Sequence, residues 1–192
     1  MHNGFVLDYW GTPGFPTHMV PVTMVLDIQH NTAAIPGSGN TPVVFTHVAD
    51  LAKFVALMLD QEKWDPVTYV LGDRVTWNEF LHLAEEAKGK SHTPFPGPCR
   101  AHVPDQCPGT KFSVTYDSVE KLKRGEVTEL PSQVAAYPFL PKEIYQGMAS
   151  TFGLWWEEGV MDLKPEKSLN EQFPEVKTWK VKDFLQAAWG KA

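Results

Sequence analysis

The pattern of apolar residues in the first half of the chain predicts a strand, a helix and a second strand, in that order. Residues 41–47 are rich in Val and Phe, which is typical of a buried strand in a largely parallel sheet. From Asp50 onward the apolar residues recur at helical spacing, and we expect Asp50 to cap this helix. A second short strand is predicted at residues 68–71, ended by a turn at Gly72 and Asp73. Together these elements predict a parallel crossover unit.

The same pattern continues with further helices and strands. Thr76 and Glu79 have the spacing of a capping box, and the helix that they begin is expected to run to about Gly89. Alternation over residues 112–116 predicts a strand, which leads into a helix that begins near Asp117 and ends at Gly125. The pattern is therefore that of an α/β protein.

The last third of the chain is predicted to be helical. Residues 144–156 carry apolar and aromatic side chains at near-helical spacing, so they predict a helix with a broad aromatic face. Thr178 is expected to cap a final amphipathic helix that ends at Gly190.

Several short motifs occur in a fixed order along these elements. They are Asn3-Gly4-Phe5, IPGSG at 35–39, FTHVAD at 45–50, TWNE at 76–79, YDS at 116–118 and LNEQFPEV at 169–176. In their order and spacing they resemble the C-terminal half of the NmrA-like and isoflavone-reductase-like proteins, over almost the whole chain. Those proteins are atypical short-chain dehydrogenase-type NAD(P)-binding chains. The resemblance implies a full-length relative that reduces a small organic substrate with NADPH.

The resemblance also indicates what this chain lacks. Members of the family open with a Rossmann unit whose glycine-rich turn holds the cofactor pyrophosphate, and they carry a lysine implicated in catalysis upstream of Asn3. The pair Gly37 and Gly39 precedes a strand, so we interpret it as a plain turn. The predicted fold is the substrate-side part of a Rossmann-like NmrA-type fold, a single truncated domain over residues 1–192. We expect this chain to bind neither NADP nor NAD by itself, although the full-length relative would bind one of them.

The resemblance assigns candidate site residues near the start of the chain. It places Asn3, Gly4 and Phe5 on the nicotinamide side of the site. Tyr9 is a weak candidate for the proton donor that a dehydrogenase needs, and it is also a candidate pocket residue. Packing of Tyr9 at a strand end is the alternative, and no catalytic residue is assigned.

A helix near the end of the chain supplies the remaining pocket candidates. In this family a helix of this region lies over the substrate pocket, so Met148, Phe152 and Trp156 are candidates to line an apolar cleft. The alternative is that the three side chains are core. No convincing arrangement of Ser, His and acid for hydrolysis is present, because His47 ends a strand and Ser38 lies in a turn.

Residues 90–109 interrupt the predicted join between a helix and a strand. Without them, Gly89 would lead directly through Thr110 into the strand. The codons at both edges can carry splice signals, so we interpret the segment as either a translated intron or a surface loop insertion, which loop energetics tolerate. Transcripts that uniformly retain these 20 codons would contradict the intron hypothesis.

Two cysteines and two histidines lie in the same segment. They are His92, Cys99, His102 and Cys107. Structural zinc sites generally keep close Cys pairs, and this spacing has none. We therefore predict no metal site.

Charge and hydropathy exclude two classes of partner. The net charge is −6, and the basic residues at 121–124 are interleaved with Glu120 and Glu126, so nucleic-acid binding is not expected. No apolar run approaches the roughly 20 residues that span a bilayer. We expect a cytoplasmic protein without a membrane partner.

Two other functions remain open. A relative of the NmrA branch would be a dinucleotide-sensing regulator that binds a protein partner without catalysis, and it could be nuclear. Alternatively, the fragment itself could be an inactive interaction module.

Overall fold

A computed structural model describes residues 1–12, 14–17, 19–20, 22–89 and 110–190. In these ranges it has two small sheets surrounded by helices. The strands are β1 (Phe5–Val6), β2 (Leu26–Asp27), β3 (Thr32–Pro36), β4 (Pro42–Thr46), β5 (Asp73–Thr76) and β6 (Ser113–Asp117). The α-helices are α1 (Val48–Leu59), α2 (Trp77–Gly89), α3 (Val119–Lys123), α4 (Lys142–Glu157), α5 (Leu169–Gln172) and α6 (Val181–Trp189). Two 3₁₀ helices span Leu7–Trp10 and Pro131–Ala136.

The first sheet has the order β1-β4-β5, and its central strand confirms the predicted strand at 41–47. β4 pairs with β1 in parallel and with β5 in antiparallel orientation. The predicted crossover to residues 68–71 is wrong, because in the described residues only Tyr69 forms an isolated bridge there, to His2. The backbone N–H and C=O of Leu71 instead bond the side chain of Asn170 at 2.8 Å each. Asp73, predicted to lie in a turn, begins β5.

The helix after β4 begins earlier than predicted. The Asp8 carboxylate accepts a hydrogen bond from the backbone amide of Val48 at 2.9 Å, so it performs the capping role that we assigned to Asp50. Asp50 is fully buried in the first turn of α1. Its carboxylate accepts hydrogen bonds from the Trp179 backbone N–H at 2.7 Å and from Lys53 Nζ at 2.8 Å. The Asp50 prediction is wrong because a distant part of the chain supplies the cap.

Local capping signals were confirmed in two other helices. At the start of α2, the Thr76 amide donates to the Glu79 carboxylate at 2.7 Å, and the Glu79 amide donates to the Thr76 hydroxyl at 3.1 Å. The Ser118 side chain caps α3. Thr178 does not cap α6, because its hydroxyl donates to Gly72 O at 3.0 Å. The helix begins at Val181 and ends, as predicted, at Gly190.

The second sheet has the order β2-β3-β6. β6 confirms the predicted strand at 112–116 and lies parallel to β3, whereas β2 and β3 form an antiparallel hairpin. Both sheets are therefore mixed, which corrects the expectation of a largely parallel sheet. α4 confirms the predicted helix at 144–156.

Residues 90–109, with their cysteines and histidines, lie outside the described ranges. The residues on either side meet at Asn31. Ser113 donates its backbone N–H to Asn31 O at 2.9 Å, and Lys88 Nζ donates to Asn31 Oδ1. The Phe112 amide also donates to the Glu85 carboxylate at 3.0 Å. The end of α2 is thus held against the start of β6.

Two negative observations apply to the ranges given above. No helix in them is both long and apolar enough to cross a membrane. No cluster of His, Cys, Asp and Glu in them could hold a metal ion.

Candidate functional site

A cavity of about 370 Å³ lies beside Tyr9, and we call it the Tyr9 cavity. It is enclosed by the 3₁₀ helix that follows β1, the turn between β2 and β3, the 3₁₀ helix Pro131–Ala136 and the end of α6. Its apolar wall consists of Tyr9, Trp10, Val22, Leu26, Phe139 and Trp189, and its polar edge includes Thr12, Asp27, His30 and Ser132. The lining thus combines aromatic and aliphatic side chains with a substantial polar edge, and apolar walls with convergent polar groups are found in small-molecule sites.

The Tyr9 phenol forms part of this wall. The ring is partly buried, with its centroid 5.8 Å from that of Phe5 and 6.3 Å from that of Trp10. Burial raises the pKa of Tyr9, because a phenolate would be poorly solvated there. The phenol therefore stays protonated at neutral pH.

Two indole rings form a fixed part of the wall. The indole N–H of Trp10 donates to Met24 O at 3.1 Å, and that of Trp189 donates to Trp10 O at 2.7 Å. Since both ring nitrogens are paired with backbone oxygens, neither ring turns without losing a hydrogen bond. The wall is therefore shaped before any ligand binds.

The polar edge contains a histidine held by a buried carboxylate. His30 Nδ1 lies 3.1 Å from both carboxylate oxygens of Asp27 and 3.1 Å from the Ser132 hydroxyl. The carboxylate also accepts hydrogen bonds from two backbone amides, at 3.2 Å from His30 and at 2.8 Å from Ser132. The side chain of Asp27 is 2% exposed, whereas that of His30 is 45% exposed.

Lys88 fixes the turn that carries this histidine. Its ammonium donates to Ile28 O at 2.6 Å and to the side chain of Asn31, a residue whose positive φ of 54° closes the turn. The ammonium also lies 5.7 Å from the centre of the Trp189 ring. Burial lowers the pKa of Lys88, and the nearby Asp27 carboxylate opposes that effect. The donors of Lys88 are directed into the fold, so this lysine is structural.

The structure brings most of the predicted pocket residues into one aromatic cluster. The Phe5 ring centroid lies 5.5 Å from that of Phe152 and 5.1 Å from that of Trp156, and Met148 packs against the same core. Of the predicted pocket residues, Tyr9 lines the Tyr9 cavity, whereas the other three do not in the described part of the chain. Their assignment to a substrate pocket stays a prediction.

The three residues assigned to the nicotinamide side have clear packing roles. Gly4 has a φ of +67°, and a Cβ there would lie 2.1 Å from Val44 O, so the position accepts only glycine. The carbonyl of Asn3 accepts a hydrogen bond from the Thr46 hydroxyl at 2.8 Å. Phe5 is a buried core residue. Their predicted role toward a cofactor stays a prediction.

The glycine turn and the starts of α1 and α2 do not fit a dinucleotide pyrophosphate. In the glycine turn before β4, the Ser38 amide and hydroxyl donate to the Glu157 carboxylate at 3.1 and 3.2 Å, where a phosphate would be repelled. The N-termini of α1 and α2 already hold the carboxylates of Asp8 and Glu79. A phosphate would need these same amides.

A second His–Asp pair, formed by His47 and Asp8, is buried and has a structural role. His47 Nδ1 lies 2.9 Å from the Asp8 carboxylate, and both residues are buried. Its ring packs between those of Phe15 and Phe184, at 5.4 and 5.5 Å. The arrangement confirms that His47 is a satisfied core residue.

The pair of Asp27 and His30 was not predicted from the sequence. One signal for it was present. Asn31, two residues before the apolar run 33–35, is the residue type that readily adopts a positive φ in a hairpin turn. That turn would have placed the side chains of residues 27 and 30 close together, but the long-range partner Ser132 could not be inferred.

Comparisons with known proteins give a consistent class of relatives. No protein-family model matches the chain. It is 30% identical over 191 residues to the Oxidoreductase swnN of Metarhizium robertsii, covering 97% of this chain and 50% of that protein. It is 30% identical over 193 residues to the Oxidoreductase swnN of Arthroderma benhamiae, covering 97% and 59%. It is 28% identical over 177 residues to the Oxidoreductase BOA1 of Botryotinia fuckeliana, covering 91% and 48%.

The chain spans about half the length of the curated relatives it matches. These fungal homologues are oxidoreductases by name. The solved structure described as "AtPrR2 in apo form" has a similar fold, with a TM-score of 0.55 at 16% identity, over 96% of this chain and 51% of that one. At this identity the likeness concerns the fold alone.

Proposed function

We propose that this chain is the substrate-side portion of an NAD(P)H-dependent reductase of the NmrA-like or isoflavone-reductase-like type, and that the Tyr9 cavity holds a small organic substrate. The observation that carries the proposal is the preformed aromatic cavity with a polar edge, in a chain whose curated relatives are named oxidoreductases. In this proposal Tyr9 and the two indole rings exclude water from the substrate, and the Tyr9 hydroxyl can donate a hydrogen bond to it.

The cofactor belongs, in this proposal, to the part of the relatives that this chain does not match. The backbone amides at the glycine turn and at the starts of α1 and α2 already donate to carboxylates of this chain. No step through a dinucleotide is therefore assigned to the residues described.

Exposed apolar surface supports the existence of a further part. β1 is at the edge of its sheet, and α1 exposes Val48, Val55 and Leu59 by 39, 42 and 63%. An unpaired strand edge beside exposed apolar side chains favours association. We propose that the remainder of the full-length protein covers this surface, and that residues 90–109 are an insert, either a translated intron or a surface loop.

The proposal predicts how dinucleotide binding depends on the missing part. We expect the 192-residue chain to show no saturable binding of NADPH or NADH in calorimetry, because the amides at the glycine turn and at the starts of α1 and α2 already donate to carboxylates. A chimera in which this chain replaces the matching 191 residues of the Metarhizium robertsii relative is expected to bind one of them. The unaltered relative is the positive control.

The outcomes distinguish the proposal from its alternatives. Dinucleotide binding without turnover by the chimera would favour a sensor of the NmrA type with a protein partner. The chimera could instead fold but bind neither dinucleotide, while the unaltered relative binds one. That result would contradict the reductase proposal and favour an interaction module. Saturable binding by the isolated chain would contradict the assignment of the cofactor to the missing part.

A further inference from the structure

We propose that His30 is the polar anchor of the Tyr9 cavity, where its Nε2 accepts a hydrogen bond from the hydroxyl group of a small, mainly apolar ligand, and that Asp27 is the residue that positions it. The inference rests on the proposed function in taking the Tyr9 cavity as a binding site. It does not depend on which cofactor the full-length protein uses.

Asp27 fixes the orientation of the His30 ring. A carboxylate accepts hydrogen bonds only, so the nitrogen that lies 3.1 Å from both oxygens of Asp27 carries a proton. The carboxylate itself is held by the backbone amides of His30 and Ser132, which belong to different elements. Both the tautomer and the direction of the ring are thereby fixed, as in sites where a second residue orients a functional histidine.

The other nitrogen of the His30 ring is Nε2. Within the described ranges, the hydrogen bonds of the His30 ring all involve Nδ1, while the ring lines the cavity and is 45% exposed. In the uncharged form of the ring, Nε2 is then the nitrogen that can accept a hydrogen bond. A ligand hydroxyl that reaches this edge can donate to it.

The geometry excludes a hydrolytic triad. In such a triad the acid and the serine contact opposite nitrogens of the ring. Here the Ser132 hydroxyl and the Asp27 carboxylate face the same nitrogen, Nδ1. Nε2 is therefore left for a ligand and not for a nucleophile of this chain.

The walls of the cavity define the rest of the ligand. Tyr9, Trp10 and Trp189 offer flat aromatic surface, and polar groups gather at the edge where His30 lies. A cavity of about 370 Å³ is at the small end of the range for ligand pockets. A bicyclic hydrocarbon skeleton that carries one hydroxyl group has the matching chemistry.

The test compares two probes that differ only in the hydroxyl group, 1-tetralol and tetralin. Their dissociation constants would be measured by NMR titration on the 192-residue chain. A hydrogen bond of ordinary net strength predicts a preference for 1-tetralol of about two- to tenfold. The preference should disappear in His30→Leu, while tetralin binds both proteins equally. His30→Gln, which keeps an acceptor, should retain part of it.

His82→Leu is the matched control. His82 also lies near a carboxylate, with Nε2 3.5 Å from Glu86, but its side chain is 71% exposed on α2 and it does not line the cavity. This variant should keep the full preference for 1-tetralol. A loss in His82→Leu as large as that in His30→Leu would contradict the assignment to His30.

The role of Asp27 has its own readout. Ring ¹⁵N shifts in the unaltered chain should show a protonated Nδ1 and a bare Nε2 at His30. In Asp27→Ala, which removes the acceptor, both tautomers should become populated, and the preference for 1-tetralol should fall even where the chain remains folded. An unchanged tautomer in this variant would overturn the positioning role.

Two outcomes would overturn the anchor itself. One is equal binding of 1-tetralol and tetralin by the unaltered chain, with NMR shift changes at Tyr9 and Trp189. The cavity would then bind ligands without using His30 as an anchor. The other is binding of neither probe at the cavity. Neither outcome decides the proposed reductase function, which is tested separately by dinucleotide binding to the chimera.

Discussion

Replacing Trp10 by alanine is expected to lower the free energy of unfolding by about 3–5 kcal/mol. The ring is 3% exposed, and its centroid lies 5.0–5.7 Å from those of Phe80, Trp77 and Phe45. Its removal would leave a large void between α2 and the first sheet and would also leave Met24 O without its indole donor. A change of this size is a large fraction of the stability of an ordinary domain.

Urea unfolding followed by circular dichroism would measure the effect. Trp64 is the matched control because it is 56% exposed, so Trp64→Ala should change the free energy of unfolding by about 0.5 kcal/mol or less. Trp10→Phe keeps part of the ring and should fall between the two. Equal stability of Trp10→Ala and Trp64→Ala would show that Trp10 is not at the centre of the core.

Replacing Asp117 by alanine is expected to have a similar effect, about 3–5 kcal/mol, for an electrostatic reason. The carboxylate is 2% exposed and accepts hydrogen bonds from Lys121 Nζ at 2.7 Å, from the Thr128 backbone N–H at 2.7 Å and from the Thr128 hydroxyl at 2.6 Å. Alanine would leave the Thr128 amide without an acceptor and would remove the only carboxylate that the structure places at the partly buried Lys121 ammonium, whose remaining acceptor is the Thr128 hydroxyl. The loop after α3 would lose its attachment to β6.

The control for this variant is Asp65→Ala, since Asp65 is exposed. Its thermal midpoint should remain within about 2 °C of that of the unaltered chain, because surface substitutions change stability little. Asp117→Asn keeps the shape and one acceptor oxygen, so it should lose less than Asp117→Ala. A midpoint for Asp117→Ala equal to that of the control would contradict the proposed network.

The confirmed parts of the fold were those that depend on local sequence. The capping box of Thr76 and Glu79 and the cap at Ser118 connect residues only three positions apart, so their hydrogen bonds follow from spacing. The helix α4 and the strands β4 and β6 were likewise indicated by periodicity within single segments.

The wrong assignments share one cause, which is a partner far away in sequence. Asp50 was expected to cap α1, but Asp8 does so from a position 40 residues before Val48. Residues 68–71 have the composition of a strand, but the side chain of Asn170 takes the backbone hydrogen bonds of Leu71. Such partners cannot be inferred from one segment.

The site was predicted only in part for the same reason. Tyr9 was indicated by resemblance to a family and does line the cavity. His30 becomes recognisable only when the hairpin, Lys88 and Ser132 are assembled around Asp27. The polar edge therefore depends on tertiary contacts, and so does the aromatic wall, where Tyr9 and Trp10 meet Phe139 and Trp189.

The central claim is that the Tyr9 cavity is the substrate side of a nicotinamide-dependent reductase. The most direct test measures NADPH consumption by the chimera with a panel of small ketones. The unsubstituted chimera, called the parent, is compared with two variants of it. Ala135→Trp fills the cavity, whereas Val134→Trp places the same side chain at the exposed neighbouring position. We predict turnover by the parent and by Val134→Trp and its loss in Ala135→Trp. Undiminished turnover in Ala135→Trp would contradict the claim. So would a parent chimera that binds a dinucleotide but consumes no NADPH with any of the ketones.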